Sequence, residues 1–288
     1  MKHILLIPVF NDWKSLNKLI LKLDIFLQNK KKIRNEILII NDNSSKKISL
    51  NFRKLKTINK IKIITLKKNF GSQKAIAIGL SYLKKIKGEF YITVMDGDGE
   101  DAPSQVKNML SKAINNPKYI ITSNRKKREE ALIIVLLYKI HLMITYFFTL
   151  KWVSFGNFST FHNKNLKTLL SNDSSWYAHS SSVLKNCKVK RLYSKREKRY
   201  FDKSKLGIFS LIEHSLRVNT VFYKNICILS IMYSLFFFSY IESSFKYLLI
   251  FGFLLFNFLI LSIKIKHWIK NFSKTSNYIK KINLIKTS

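Results

Sequence analysis

"YITVMDGDGEDAPSQ", residues 91–105, decides how the chain reads. It opens as an apolar run and ends in Asp96, Asp98, Glu100 and Asp101, with Gly97 and Gly99 interposed. These are four of only 16 acidic residues in a chain with 52 Lys and Arg and a formal net charge of +36. A calcium loop starting at Asp96 would need Gly at its sixth position and Glu at its twelfth. Those positions are Asp101 and Lys107. A merely solvated turn would leave the glycines, and the buried run before them, unexplained. Asp-Gly-Asp spacing puts two carboxylates within reach of one hard cation, and the glycines let an anionic ligand approach the backbone. Mg2+ or Mn2+ takes one or two carboxylates plus substrate phosphates. The run therefore reads as acids that hold a metal, which holds a diphosphate.

Outward from this stretch, five β-rich runs recur: HILLIPV (3–9), EILIIND (36–42), IKIITL (61–66), EFYITVMD (89–96) and KYIITSN (118–124). Segments of helical periodicity lie between them. In residues 15–28, Leu16, Leu19, Ile20, Leu23 and Leu27 form one stripe, and residues 72–86 and 103–114 behave alike. Strands apolar on both faces and alternating with helices predict an α/β fold with a mostly parallel sheet. Ligands gather at the carboxyl ends of such strands. Asn11, Asp12, Asn41, Asp42, the acids at 96–101 and Arg125 all follow strand ends.

The 288 residues allow one core of roughly 200 residues with length to spare. A hydrophobic content of 47% excludes a disordered chain. The basic charge fits nucleic acid, an anionic membrane surface, or simply a vocabulary rich in Lys, Ile and Asn. Cys187 and Cys227 lie far apart without metal-ligand spacing, so neither a disulfide framework nor a zinc site is expected. The opening MKHILLIPVF reads as a first strand, not a signal peptide.

The later sequence changes character. Residues 131–150 match a bilayer span in length, but Lys139 and His141 sit at the centre, which favours an interfacial or packed amphipathic helix. Residues 226–241 and 247–263 are apolar, with only ESSFK between them, and predict a transmembrane hairpin. The basic flanks put both of its ends on the cytoplasmic side. The expected organisation is a catalytic domain over 1–220, two spans over 221–264 and a basic cytoplasmic tail over 265–288, in a multi-pass protein of the cell membrane.

The motifs PVFND (8–12), IINDNS (39–44), KNFGSQKAIAIGL (68–80), VMDGDGEDAPSQ (94–105) and SNRKKRE (123–129) together resemble glycosyltransferase family 2. Their order and spacing are most similar to the polyprenyl-phosphate (dolichol-phosphate) sugar transferases. FGNFS (155–159) and REKRYFDKSKLGIFSLIEH (196–214) extend the likeness. The resemblance implies a GT-A-type nucleotide-sugar-binding domain. It also implies an inverting, metal-dependent transfer from a UDP- or GDP-sugar to polyprenyl phosphate.

By that resemblance Pro8, Phe10, Asn11 and Asp12 hold the nucleotide, Phe10 beside the base, and Asp42 hydrogen-bonds the base. Asn41 replaces the first member of the usual Asp-Asp pair. Asn69, Phe70 and Gly71 flank the donor, and Lys74 departs from a usual small residue. Asp96 and Asp98 match the DxD motif, Asp98 as metal ligand with Glu100 nearby. Arg125 and Arg128 match basic residues near the transferring and acceptor phosphates. The basic knot at 188–200 is either a solvated loop or a dock for anionic lipid and acceptor phosphate, through Arg196, Arg199, Lys203 and Ser204. Asp202 stands where relatives often have Gly.

An anionic phosphate acceptor needs no strong base. His162, His179 and His214 are therefore read as packing or surface residues. A hydroxyl acceptor on a lipid-linked or envelope glycan would need a base, with Asp101, Glu129 and Glu130 as candidates. A basic, membrane-tethered binding module without catalysis is the rival of another class. The expected partners are the sugar donor, a lipid-borne acceptor, anionic lipids and potentially a second copy of the chain, with no nucleic acid.

Overall fold

The computed structural model describes residues 1–28, 33–50, 55–125, 132–194, 197–201 and 207–286. The chain begins β1 (Lys2–Val9), α1 (Trp13–Phe26), β2 (Arg34–Asn41), β3 (Ile58–Leu66), α2 (Ser72–Lys84), β4 (Phe90–Val94), α3 (Val106–Asn115) and β5 (Ile120–Arg125). It continues with α4 (Leu132–Thr149), β6 (Phe155–His162), α5 (Leu166–Leu169), α6 (Ser174–Tyr177), α7 (His179–Asn186) and β7 (Val189–Ser194). The remainder is α8 (Ile208–Thr220), α9 (Tyr223–Tyr240), α10 (Phe245–Lys266) and β8 (Ile279–Lys286), the last preceded by a 3-10 segment, Phe272–Tyr278.

Two compact units result. One comprises Met1–Arg128, Phe155–Ser204 and Asn271–Ser288; the other comprises Glu129–Ser154 and Lys205–Lys270. The expected boundary at 220 thus gives way to a discontinuous division, in which α4 joins the later helices.

The first unit is an eight-stranded sheet in the order β7-β5-β6-β4-β1-β2-β3-β8. All five expected strands are in it. The pairs β1–β2, β1–β4, β2–β3 and β5–β7 are parallel. However, β6 runs antiparallel between β4 and β5, and β8 runs antiparallel along β3. The sheet is therefore mixed: six of its eight strands run the same way, and β6 and β8 run against them. Part of the basic knot, Val189–Ser194, is the edge strand β7. The expected basic tail over 265–288 is also corrected: Ile279–Lys286 is a sheet strand, and its Lys residues are interspersed with Ile and Leu as an edge strand allows.

The α1 stripe is buried as its periodicity predicts, with Leu16, Leu19, Ile20 and Leu23 packed against Leu5, Ile7, Ile37 and Ile39. Each such side chain contributes about 1.5–3 kcal/mol by leaving water. One polar chain crosses this core. Asn35 donates its Nδ2–H to the Thr57 carbonyl, which turns Oδ1 toward Nδ1 of His3 at 3.0 Å. His3 Nε2 then lies 2.9 Å from Thr93 Oγ1, and Thr93 is 2.8 Å from Thr160. This geometry suits an imidazole that donates from Nδ1 and accepts at Nε2. Burial pulls the His3 pKa down to about 4, against the opposing Asn35 bond, and burial likewise brings His179 to about 4.

Both histidines therefore fold neutral. Stability is intact above the unfolded value near 6.5 and falls as pH drops toward 4, because only the unfolded chain takes up the protons there. The expected loss is about 3 kcal/mol per histidine. Denaturant midpoints of the full chain between pH 7 and 4.5 would check this. A His3→Gln variant should show a flatter slope, and an equally steep slope in it would contradict the His3 share.

The second unit packs Phe148 of α4 against Ile226, Phe253 and Ile260. Phe147 stacks on Tyr233 at 4.3 Å, and Asn257 donates to Ser230 across α9 and α10 at 2.8 Å. The segment read as an amphipathic helix is thus α4, packed on its neighbours in this unit. Leu235, Phe238, Leu248, Phe251, Leu254 and Phe258 are exposed. Among the described residues α10 alone is long and apolar enough to cross a membrane, with a mean hydropathy of 2.4. The α8–α9 pair meets that test only jointly, across an 86° bend.

Candidate active site

Three strand ends build the site. After β1, Asn11 takes a left-handed backbone (φ 56°), and its Oδ1 accepts from the Lys46 N–H at 2.9 Å. Its own N–H donates to Ser44 Oγ. Asn11 therefore ties the loop after β1 to the loop after β2. Asp12 follows and caps α1, with Oδ1 accepting from the Ser15 N–H.

After β2, Asn41 is buried and binds Thr65 and the Ser44 N–H, so the departure from Asp is absorbed by the loop. Asp42 accepts from the N–H groups of Phe70 and Gly71, at 2.8 and 2.7 Å, one on each oxygen. Gly71 also donates to Asn69 Oδ1, and its φ of 86° is one that glycine adopts without strain. Burial pushes the Asp42 carboxyl above its ordinary range, opposed by these two N–H groups and by Lys74.

After β4 comes the acidic turn. The Asp96 N–H donates to Asp101, and Asp96 Oδ1 accepts from Asn157 Nδ2 at 3.0 Å. Asn157 Oδ1 in turn accepts from Gln73, whose Oε1 accepts from the His179 N–H. Asp98 Oδ1 accepts from the Glu100 N–H. Glu197 and Tyr200 then donate their backbone N–H groups to the carbonyls of Glu100 and Asp98, laying a strap across the turn. The strap carries Arg199, which donates to Asp12 at 3.0 Å and reaches Asp98 at 3.5 Å.

Packing also requires the glycines here. A Cβ at Gly97 would meet Ile7 and the Pro8 carbonyl at 3.3 Å. At Gly99, where φ is +89°, it would meet the Tyr200 ring at 2.4 Å.

A cavity of about 230 Å³ opens among these strand ends. Pro8, Phe10, Asp12, Asp42, Asp96, Asp98 and Arg199 line it together with Val9, Ser72 and Gly97. Seven of the sixteen site residues anticipated from sequence thus face one cavity. Asn11, Asn69, Gly71 and Glu100 do not line the cavity; the first three shape its loops, and the Glu100 backbone joins Asp98 to the strap. Arg125 ends β5. Arg128, Arg196, Lys203 and Ser204 lie outside the described residues. Gln73 and Asn157, which orient Asp96, were not anticipated, although both fall within motifs that carry the resemblance.

The sequence matches the model of glycosyl transferase family 2 over residues 4–176, a stretch that contains every cavity-lining residue except Arg199. The chain belongs to glycosyltransferase family 2.

Solved structures share the fold of this glycosyltransferase. The S. aureus TarS 1-349 structure in complex with UDP-GlcNAc is 13% identical, covering 96% of this chain and 91% of that one, with a TM-score of 0.50. A mycobacterial protein is 10% identical, covering 78% and 75%, with a TM-score of 0.51. No curated protein matches the glycosyltransferase in sequence.

Among the described residues no group of three or more His, Cys, Asp and Glu could hold a metal by itself. The donor set nevertheless fits a hard cation bound jointly with phosphates. The carboxylates of Asp12 and Asp98 already converge on one cationic group, the Arg199 guanidinium.

Proposed function

We propose that this glycosyltransferase moves a sugar from a nucleoside-diphosphate sugar to polyprenyl phosphate at the cytoplasmic face of a membrane. The observation that carries the donor half is the cavity, where Asp42, Asp96, Asp98 and Arg199 face one space at the carboxyl ends of β1, β2 and β4. UDP-GlcNAc in the TarS complex, which shares the fold, accords with a nucleotide-sugar donor. Phe10, about half exposed at the cavity, offers a ring face to a base.

In this reading Asp98 holds Mg2+ or Mn2+ with Asp96 beside it, and the ion supplies charge neutralisation for the diphosphate leaving group. Asn157 and Gln73 keep the Asp96 carboxylate turned toward the cavity. An acceptor phosphate oxygen attacks the anomeric carbon, the bond from that carbon to the diphosphate oxygen breaks, and the electron pair leaves with the nucleoside diphosphate. The attacking oxygen is already anionic, so no side chain need take a proton. The planar fork of Arg199 suits a phosphate at the cavity edge.

The lipid half rests on the second unit. Its exposed apolar side chains and the span-length helix α10 suit a bilayer. Parity adds support. Segments on both sides of α8–α10 in sequence belong to one sheet, since β8 pairs with β3. They must therefore lie on one side of any membrane, and if α10 crosses it, a second crossing must come from α8–α9.

The full chain in detergent, offered UDP- and GDP-sugars with and without polyprenyl phosphate, should release nucleoside diphosphate only with divalent metal, and much faster with the acceptor. Release unaffected by chelator would refute the metal reading. Stimulation by a sugar hydroxyl instead of the phosphate lipid would move the proposal to a glycan acceptor.

A further inference from the structure

We infer that Tyr278, just before β8, is a positioning residue for the donor nucleotide, acting through Phe70 and Asp42. This rests on the nucleotide-sugar reading of the cavity. The Asp42 carboxylate lines that cavity, and the backbone N–H groups of Phe70 and Gly71 fix its two oxygens. Whatever fixes the 69–71 loop therefore fixes Asp42, and also Ser72, the next cavity residue.

The loop has little of its own to fix it. Gly71 carries no side chain and sits at φ 86°. Among the described contacts, the one side chain of the loop that reaches a neighbouring element's ring is Phe70. Its ring meets Tyr278 edge-on at 4.9 Å and lies 6.3 Å from Trp176. Trp176 is buried and packs on Tyr278 at 5.6 Å and on Phe272 at 6.4 Å. Lys74, one turn into α2, lies over the Trp176 ring at 5.1 Å. Tyr278 is thus the wall that Phe70 rests on.

The backbone closes the same arrangement. The Lys67 N–H donates to the Tyr278 carbonyl at 2.9 Å, where the β3–β8 register shifts beside Leu66. The chain leaving β3 is held by Tyr278 on its way to the loop. A segment beyond α10 in sequence, outside the matched family stretch of 4–176, thereby becomes part of the frame of the nucleotide site.

The test uses the full chain and two probes, UDP and GDP, with Tyr278→Ala and Tyr278→Phe compared with the parent. The alanine variant should keep the Lys67 bond but lose the ring. Its Kd for whichever nucleotide the parent binds should rise about tenfold, a loss on the scale of one well-packed aromatic group. Donor KM should rise in parallel, with kcat at saturation nearly unchanged. Hydrogen exchange at the Phe70 and Gly71 amides should quicken while that at Ile92 and Val94 in β4 does not. Tyr278→Phe should restore all of these, because the contact is made by the ring.

Unchanged exchange at residues 70 and 71 in the alanine variant would overturn the inference. So would faster exchange without weaker nucleotide binding, or a fall in kcat alone. Should the parent bind neither UDP nor GDP, the donor reading itself falls and takes this inference with it, an outcome separable from the others because it precedes any substitution.

Discussion

Asp98→Asn is expected to abolish transfer, with a loss of at least about 100-fold, the scale on which a single preorganised electrostatic contact acts in catalysis. The side chain keeps its size, and an amide oxygen can still accept from the Glu100 N–H, so the turn should fold as before. What disappears is the charge that faces Arg199 and, in the proposed chemistry, the metal. Thermal midpoint and nucleotide-free exchange should therefore stay near those of the parent while metal-stimulated nucleotide release collapses. Turnover at the parent rate would remove Asp98 from the reaction.

Gly99→Ala is the second large expectation, and its cause is steric. Left-handed backbone costs an L-residue about 1–2 kcal/mol. Beyond that, the new methyl would occupy the space of the Tyr200 ring at 2.4 Å. The ring has to move, and with it the strap that holds Arg199 against Asp12 and Asp98. Transfer should fall by about tenfold or more, on the scale of one lost charge-assisted contact. Global stability should fall by the backbone cost together with the cost of displacing the Tyr200 ring. Adding Tyr200→Ala relieves the clash and should recover part of the stability but not the transfer, since the strap still lacks its ring on the turn. Parent-like transfer by Gly99→Ala would show that the strap does not position Arg199.

The parts legible in the sequence share a physical reason. Strands β1 to β4 are built on apolar runs because each is covered on both faces, and runs of that kind survive in any one-dimensional reading. Asp12, Asp42, Asp96 and Asp98 were legible because they directly follow such runs, whereas Pro8 and Phe10 came from the family resemblance. The edge strands were not. In β7 the sequence VKRLYS sets adjacent, exposed Lys190 and Arg191 between half-buried Val189 and Leu192, so it reads as a basic loop. In β8 the lysines of IKKINLIK read as a tail, although an edge strand is where lysine is welcome. Strand β6, FGNFSTFH, buries Ser159 and Thr160, which find their partners in His179 of α7 and the Asn157 carbonyl, and in Thr93 of β4.

Within the site, Asn11, Asn69 and Gly71 also build the loops, through backbone hydrogen bonds that leave no trace in residue type. Gln73 and Asn157 were hidden because their partners are distant in sequence. Their effect on Asp96 depends on a relay that spans α2, β6 and α7. Arg199 was anticipated as a phosphate contact, but its placement between Asp12 and Asp98 required the tertiary fold.

The pairing of β8 with β3 also sets an order of assembly. During synthesis β3 is made early, whereas its edge partner emerges only after α8, α9 and α10 have left the ribosome. The catalytic sheet is thus sealed after the apolar helices have been made and handed to whatever receives them. Until then β3 presents an open row of N–H and C=O groups, the kind of edge along which chains pair with one another. A product cut short after α10 would retain all of its cavity residues and still carry that unsealed edge. Its fate would be decided by aggregation or proteolysis before any failure of chemistry could show.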